Sequence, residues 1–576
     1  MSPIVISSLG LGLNLHDPAT EIADGQMAGA SNVVFTRGVL RTPHGFARLG
    51  AGSLPLGAPI LNLCHYREQS GSPTDHIVAM TRSGFALRNA VLDSWTSLGP
   101  DTALLAGADN VPSFVGFPHT DAIKADGAGI DCNYHLLACD GGNSPIHRWA
   151  GKFEGKFYPL QGADGYHEAS ADPATPTVHY CQQVSAFYNH VILVSPKTWQ
   201  AASNAYIENP QTIFWGKAGL LETDPDNPGG KGAFDLTESG AGFVALMDTG
   251  DKNVRVELMD DLLIVYQTHS IWYMYHVGGD DVFLAKCQNP NLGLLAPGLL
   301  VAWRNQHFLV GHDFKPYSYA GGSSFQPIGA SVFEALKEDM DPTKLNRCRM
   351  AVGENGDRLW ILIVRRDYEY PTRAYLIDTL TGAWMVRDFE HVYEAGGGVT
   401  AITLAGGQRY TVGRTYQQDI DTGATYQDAI DEGRTYDQLL TVVLLDEALL
   451  LGDSESNIYA FDPDLSTDDG VSIPCHADTK VFDWGRPDQL KGWSTLNVTA
   501  KGGAMQVSYR IDYFDTQDEG WTAFEATTLT DGYATCEFGL EDIASEAIQF
   551  RIANDAGSGL AVKKLILGEP SLQESY

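Results

Sequence analysis

The chain has 576 residues, 44% of them hydrophobic, with 61 glycines and 27 prolines. That length exceeds one ordinary core and predicts two or more domains, while the composition excludes a disordered chain and suits a turn-rich β protein. Its 72 acidic residues against 38 basic ones give a formal net charge of −34, which disfavours nucleic-acid backbones and anionic lipid as binding partners and otherwise serves solubility.

Eight cysteines (Cys64, Cys132, Cys139, Cys181, Cys287, Cys348, Cys475 and Cys536) show no CxxC spacing, so neither a disulfide scaffold nor a zinc framework is expected. The opening MSPIVISSLGLGLNLHD lacks the basic start and long apolar core of a secretory signal. No run reaches ~18 apolar residues, so no membrane span is expected.

In chain order, residues 1–50 read as an extended arm punctuated by Gly10, Gly12 and Asp17-Pro18. The arm ends in a hairpin around Arg37-Gly38. Blade-like strand–turn–strand units follow. HIVAMT and FALRNA with Trp95 form the first, and YHLLACD and PIHRWA with Trp149 the second. VILVS and QTIFWG, ending at Trp215, form the third. Residues 260–329 are the clearest stretch: DLLIVYQT, SIWYMYHV, LLVAWRN and HFLVGHD are short, rich in Val, Ile, Tyr, Phe and Trp, and bounded by polar turns. RLWILIVRR and AYLIDTLTGAW with Trp384 form a later unit, and residues 448–462 the last. Units spaced at roughly 45–75 residues exceed the ~40–50 of the best-marked propeller repeats, which implies insertions.

Residues 411–440 repeat Gly-x-Thr-Tyr every ten residues and place Tyr416, Tyr426 and Tyr436 in equivalent positions. This suits short extended pieces stacking their tyrosines, or else an exposed loop array. From 475 onward KVFDWG, STLNVTAKG, AMQVSYRIDYF, WTAFEAT, ATCEFGL, AIQFRIAND and AVKKLILGE alternate cleanly, the pattern of a β-sandwich. The expected architecture is all-β: an irregular β-propeller of about six to seven blades over 51–474, with an N-terminal arm (1–50) and a C-terminal β-sandwich (475–576).

These pieces together resemble the hub or nozzle β-propeller proteins of short-tailed bacteriophages. The resemblance rests on Gly12-Leu13-Asn14 with Asp17-Pro18, on Ser31-Asn32-Val33 with Gly38-Val39-Leu40-Arg41, and on Gly45-Phe46. It continues through LLIVYQTHSIWYMYHVGG, Gly293-Leu294-Leu295-Ala296-Pro297, Pro327-Ile328-Gly329 and the Gly-x-Thr-Tyr run. The order of these pieces over most of residues 1–470 carries more than any one of them. His312-Asp313-Phe314 departs from the family, where a glycine more often follows the aspartate. The resemblance implies a virion tail protein assembled in the host cytoplasm. It implies a self-associated ring, a hexamer, around the DNA exit channel, with partners in the tail adaptor or portal-side proteins and in fibres or spikes. Genomic DNA would pass without specific binding. The N-terminal arm, with Asn14 and Asp17, and Tyr416, Tyr426 and Tyr436 are then the expected subunit contacts.

No catalytic, cofactor or metal residue is expected, and the chain is not expected to be an enzyme. G-x-S-x-G, H-E-x-x-H and the P-loop are absent from the sequence. Residues 462–470 are spaced like a calcium loop, but Thr467 stands where its tight-turn glycine belongs, and 222–227 is a second acidic loop. On a strand, His135 and Cys139 share a face that Cys132 does not, which leaves too few ligands for zinc. His65, His147, His190 and His312 stand singly beside strands. The alternative reading is a carbohydrate-binding or glycoside-cleaving propeller, with Trp95, Trp149, Trp215, Trp272 and Trp384 as stacking platforms.

Overall fold

The computed structural model describes residues 2–49, 54, 57–68, 74–89, 94–99, 104, 107, 109–124, 131–149, 156–160, 180–200, 203, 205–221, 233–234, 236, 240–279, 281–353, 358–393, 396–405, 408–411, 442–445, 448–512, 519–554 and 559–572. Among them the chain is almost wholly β, with one short α-helix at Phe333–Asp339 and a 3-10 turn at Leu345–Arg347.

Six successive four-stranded antiparallel meanders begin at Ile60–Glu68, Ser113–Lys124, Gln183–Phe187, Asn253–Met259, Leu300–Trp303 and Arg349–Gly353. A seventh sheet begins at Val399–Ala405 and continues through Ala448–Asp453 and Ile458–Asp462. Its next strand comes from the far end of the chain: Gly45–Arg48 pairs antiparallel with Ile458–Asp462, Phe46 facing Phe461. Thr467–Asp468 then lies parallel to it, through Asp468 and Phe46. Gly45 permits this, since a Cβ there would sit 1.9 Å from the Thr467 carbonyl oxygen.

Each sheet alternates apolar residues onto its neighbours, so the cores lie between sheets. Val78, Met80 and Phe85 of the first pack with Leu136 and Trp149 of the second. Leu137 meets Val184 and Leu193, and Val194 meets Val256 and Val265. Ile264 and Tyr266 meet Leu309 and Tyr319, and Val310 joins Leu359, Leu449 and Tyr459. Ile60, Leu63 and Ala79 of the first sheet share a core with Ala401, Leu450 and Ile458 of the seventh, so the succession returns on itself. The arrangement is propeller-like.

Local chemistry sets the turns. Tyr188-Asn189 and Arg304-Asn305 both lie at positive φ, the two-residue hairpin geometry in which asparagine is tolerated. Asp140 and Asp453 end equivalent strands. Each takes the backbone N–H groups of the turn that follows, Asp140 from Gly142, Asn143 and Ser144, and Asp453 from Glu455 and Asn457.

Beyond the seventh sheet lie two six-stranded sheets. One is centred on Leu560–Leu567 and Thr495–Gly502, the other on Ile548–Asn554 and Ala504–Ile511. Leu496, Val498, Val562 and Leu565 of one share a core with Val507, Phe550 and Ile552 of the other. Lys480–Gly485, expected as a strand, is a turn region that keeps only an isolated bridge from Phe482 to Ile548. The strand is upstream, at Cys475–Thr479. Its sequence, CHADT, alternates too weakly to announce itself.

Residues 1–50, expected as a separate arm, are woven through both regions. Ile4–Ile6 and Val39–Arg41 pair with Leu560–Leu567, Met27–Ser31 pairs with Cys475–Thr479, and Gly45–Arg48 enters the seventh sheet. An extended segment with alternating apolar residues finds its partners in whichever sheet edges lie open, and those edges lie more than 400 residues downstream.

Polar side chains tie this segment to the sixth sheet. The Asp388 carboxylate accepts from Arg373 Nε at 2.6 Å and from Ser31 Oγ at 2.6 Å, and Asn32 donates to the Pro474 carbonyl at 2.9 Å. Nearby, Asp468, fully buried, accepts from Arg387 Nη2 at 2.6 Å and pairs with His391 Nε2 at 2.7 Å. Burial pulls the Arg387 guanidinium below its ordinary value, and Asp468 opposes that pull.

Candidate functional site

The first strands of all seven sheets line one central cavity of about 1020 Å³, by residues such as Cys64, Ser113, Gln183, Glu257, Trp303, Arg349 and Thr403. Inner strands are expected to be apolar or evenly patterned. Several here carry polar side chains that reach the neighbouring strand's backbone.

Asn62 Nδ2 donates to the Pro112 carbonyl at 2.8 Å, joining the first sheet to the second. Ser113 Oγ accepts from the Val184 N–H at 3.0 Å. The Gln183 amide makes both bonds to Val256, 2.9 Å to its carbonyl and 2.8 Å from its N–H. Arg255 Nη1 donates to Pro297 and Leu300 carbonyls at 3.0 and 2.9 Å. The belt continues through the Met350 N–H, which donates to the Gly298 carbonyl at 2.8 Å. Polar groups lining the cavity therefore satisfy strand edges that sheet pairing leaves open.

Charges in the wall are largely paired. Asp109 takes Arg347 Nε at 2.6 Å, and Glu257 takes Arg255 Nη2 at 2.8 Å. Arg349 differs. It is nine-tenths buried, its Nη1 donates to the carbonyls of Asn346 and Cys348 at 2.5 and 3.0 Å, and it makes no ion pair among the described residues. Burial lowers it to about 10, with the Arg255 charge adding to the effect, so it stays protonated at neutral pH. Burial raises Cys64 to about 12, which leaves that thiol unreactive.

No group of three or more His, Cys, Asp or Glu that could hold a metal occurs among the described residues. The carboxylates of 462–470 are engaged separately: Asp462 caps the Asp464 N–H at 2.9 Å, Asp469 meets Arg48 at 3.1 Å, and Asp468 serves Arg387. Cys139 bonds the Cys181 carbonyl at 2.8 Å and lies 3.8 Å from its sulfur. His190 Nδ1 is 2.6 Å from the Gly216 carbonyl, and His312 Nδ1 accepts from the Gly293 N–H at 3.3 Å. Trp149, Trp215, Trp272 and Trp384 are buried in cores and offer no stacking platform.

Asn14, expected at a subunit contact, is buried and locally satisfied. Its side chain donates to Asp17 at 2.9 Å and accepts the His16 and Asp17 N–H groups, while Asp17 remains exposed. Tyr416, Tyr426, Tyr436 and the acidic loop 222–227 lie outside the described residues. The sequence reading missed Arg255, Arg349 and Arg387. The one signal was a base inside a strand, as in RCRMAV, where the pattern wants an apolar residue.

No protein-family model matches the chain, and no curated protein matches it in sequence. Among solved structures, it is similar to the WD40 domain of Neurospora crassa Pan2 at 8% identity and a TM-score of 0.33, over 73% of this chain and 97% of that one. It is also similar to the C-terminal domain of a chitobiase from Bacteroides fragilis at 11% identity and a TM-score of 0.13, over 18% of this chain and 66% of that one. Both likenesses are too distant to carry an argument. The fold rests on the strand pairing described above.

Proposed function

We propose that the chain is a structural subunit of a bacteriophage tail, a nozzle or hub component that forms a ring around the DNA path and docks to the tail adaptor and to fibres or spikes. In this reading the seven sheets form a closed propeller and the two six-stranded sheets a β-sandwich. The observation that carries the proposal is the way the first 48 residues join the two. Strands from one segment complete the seventh sheet and extend both C-terminal sheets, and Ser31 and Asn32 of that segment bond Asp388 of the sixth sheet and the Pro474 carbonyl. Two units so joined transmit force as one body, which suits a part that must stay rigid while DNA passes. The net charge of −34 agrees, because a wall of bases would release counterions on meeting phosphates and hold the polyanion.

The test is the mass and symmetry of the purified chain by light scattering and electron microscopy, with antibodies against it applied to tailed particles. Rings with an axial hole and labelling of tails are expected. A protein that stays monomeric at all concentrations and is absent from particles overturns the proposal. No observation favours the carbohydrate reading.

A further inference from the structure

The central cavity contains an uncompensated positive charge. Its wall carries Asp109, Glu257, Arg255 and Arg349 as the fully charged side chains among the described residues. Asp109 pairs with Arg347, which Glu369 also meets, and Glu257 pairs with Arg255, whereas Arg349 has no ion pair among the described residues. A buried cation without an anion is costly, and carbonyl oxygens offset the cost only in part.

The surroundings hold this guanidinium in place. Gly298 has no side chain where Arg349 lies, and a Cβ there would sit 2.9 Å from Arg349 Nη1. The Asn346 and Cys348 carbonyls fix Nη1, so the planar group is oriented before any ligand arrives. Arg255 lies close enough for its charge to act on Arg349 and is itself anchored on Pro297 and Leu300, with its side chain 27% exposed. Two fixed guanidinium groups line a cavity of about 1020 Å³ whose wall carboxylates among the described residues, Asp109 and Glu257, are both already paired, and so form a receptor for a small oxyanion.

We propose that the cavity binds a small anion carrying a carboxylate or phosphate group, held by Arg349 with Arg255 beside it. The site does not depend on the tail reading, since it uses only the inner strands of the fourth and sixth sheets, the Pro297–Leu300 segment that opens the fifth, and the turn at Asn346. Its chemistry sets the ligand class: a planar fork that can donate to two oxygens, beside a cavity of about 1020 Å³ that has room for a small molecule. The strongly acidic remainder of the chain repels anions in general, so the ligand must be small enough to reach the one place where the sign reverses.

The experiment is isothermal titration of the full chain with inorganic phosphate and, separately, with citrate, at constant ionic strength. Wild type, Arg349→Met and Lys337→Met, an exposed cation on the helix, are compared. Saturable one-to-one binding to wild type and Lys337→Met is expected, with at least a tenfold loss in Arg349→Met, since the charged donor that holds the anion is gone. Preference for phosphate or for citrate identifies which oxyanion source the site takes.

Thermal unfolding without ligand separates the site from a structural role. Removing an uncompensated buried charge leaves Arg349→Met as stable as wild type or more so, and the rise in Tm with added anion disappears. Absence of saturable binding to wild type overturns the proposal. So does an anion response that survives in a folded Arg349→Met protein, or a weak response lost equally in Lys337→Met. If Arg349→Met fails to fold, the wild-type titration and Arg255→Met, which leaves Arg349 in place and is expected to weaken binding, still decide.

Discussion

Replacing Asp468 by alanine tests whether the buried Arg387–Asp468 pair holds the seventh sheet to the sixth. The Asp468 carboxylate is wholly buried, and the Arg387 side chain opposite it is 3% exposed. Substitution leaves two donors, Arg387 Nη2 and His391 Nε2, without their acceptor, and Arg387 Nε and Nη1 already have no partner among the described residues. At about 1.5–3 kcal/mol for each charged hydrogen bond, the loss is roughly 3–6 kcal/mol. That agrees with the roughly 3–5 kcal/mol that follows when one partner of a buried ion pair is removed. Asp468→Asn keeps one acceptor oxygen and is expected to cost about half as much. Arg387→Met costs less than Asp468→Ala, because His391 remains beside the carboxylate. Adding Arg387→Met to Asp468→Ala therefore recovers much of the loss, a coupling of more than about 1 kcal/mol between residues in direct contact. The assay is urea unfolding followed by tryptophan fluorescence, read at the first cooperative transition because a chain of this size need not unfold in one step. An Asp468→Ala protein within about 0.5 kcal/mol of wild type, or strictly additive double and single variants, refutes the reasoning.

Other consequences are equally direct. Gly45→Ala forces a Cβ against the Thr467 backbone and is expected to cost ~3 kcal/mol and expose the N-terminal segment to proteolysis, whereas Gly532→Ala, with open space around it, should be silent. Equal protease resistance of the two variants counts against the strand exchange. His147, His190 and His307 are held below the ordinary 6.5 chiefly by burial, so their unfolded forms bind protons first. Their contribution is therefore full above 6.5 and is lost as pH falls through the folded values. His307, between the Tyr266 hydroxyl at 2.7 Å and the Leu258 carbonyl at 2.8 Å, supplies part of this slope. His307→Gln should flatten the fall in Tm between pH 7 and pH 5 (about 1.4 kcal/mol per unit of pH at most), and an unchanged slope excludes the assignment. Cys139 and Cys181 are buried, and Cys181 is raised further by its neighbour, so maleimide should label neither in the native protein and both in urea. Native labelling at the rate of a free thiol contradicts their placement.

How much of this the sequence disclosed depends on how local each interaction is. Leu262–Gln267 with Ile271–His276, and Val34–Thr36 with Val39–Arg41, pair across short turns, and both the turn residues and the alternating faces lie within one window. Phe283–Asn289 was hidden because its outer position leaves Leu284 and Lys286 exposed and only Phe283 buried, so no clear apolar face marks it. Gly45–Arg48 was hidden for a different reason. GFAR is a plausible strand in any sheet, and its partner, Ile458–Asp462, lies more than 400 residues downstream, where no local pattern can point to it. Charged residues were the least legible. Asp468 occupies what looks like a calcium-loop position, and only its tertiary place gives it to Arg387. Arg387 likewise breaks the apolar pattern of its strand for a partner on another sheet, whereas Arg349 bonds the carbonyls of the turn just before its own strand. Buried charge also bears on the composition. Among the described residues Arg349, Arg358, Arg387, Arg510 and Lys491 are buried, five of 38 bases, against Asp140, Asp341, Asp388, Asp453, Asp468 and Asp478, six of 72 acids. The buried groups nearly cancel, five bases against six acids, so almost all of the net charge of −34 belongs to the rest of the chain. With a screening length of about 8 Å at physiological salt, such a surface repels a polyanion only near contact. A passage wall needs repulsion of that range, close enough to prevent sticking and too short to oppose entry from a distance.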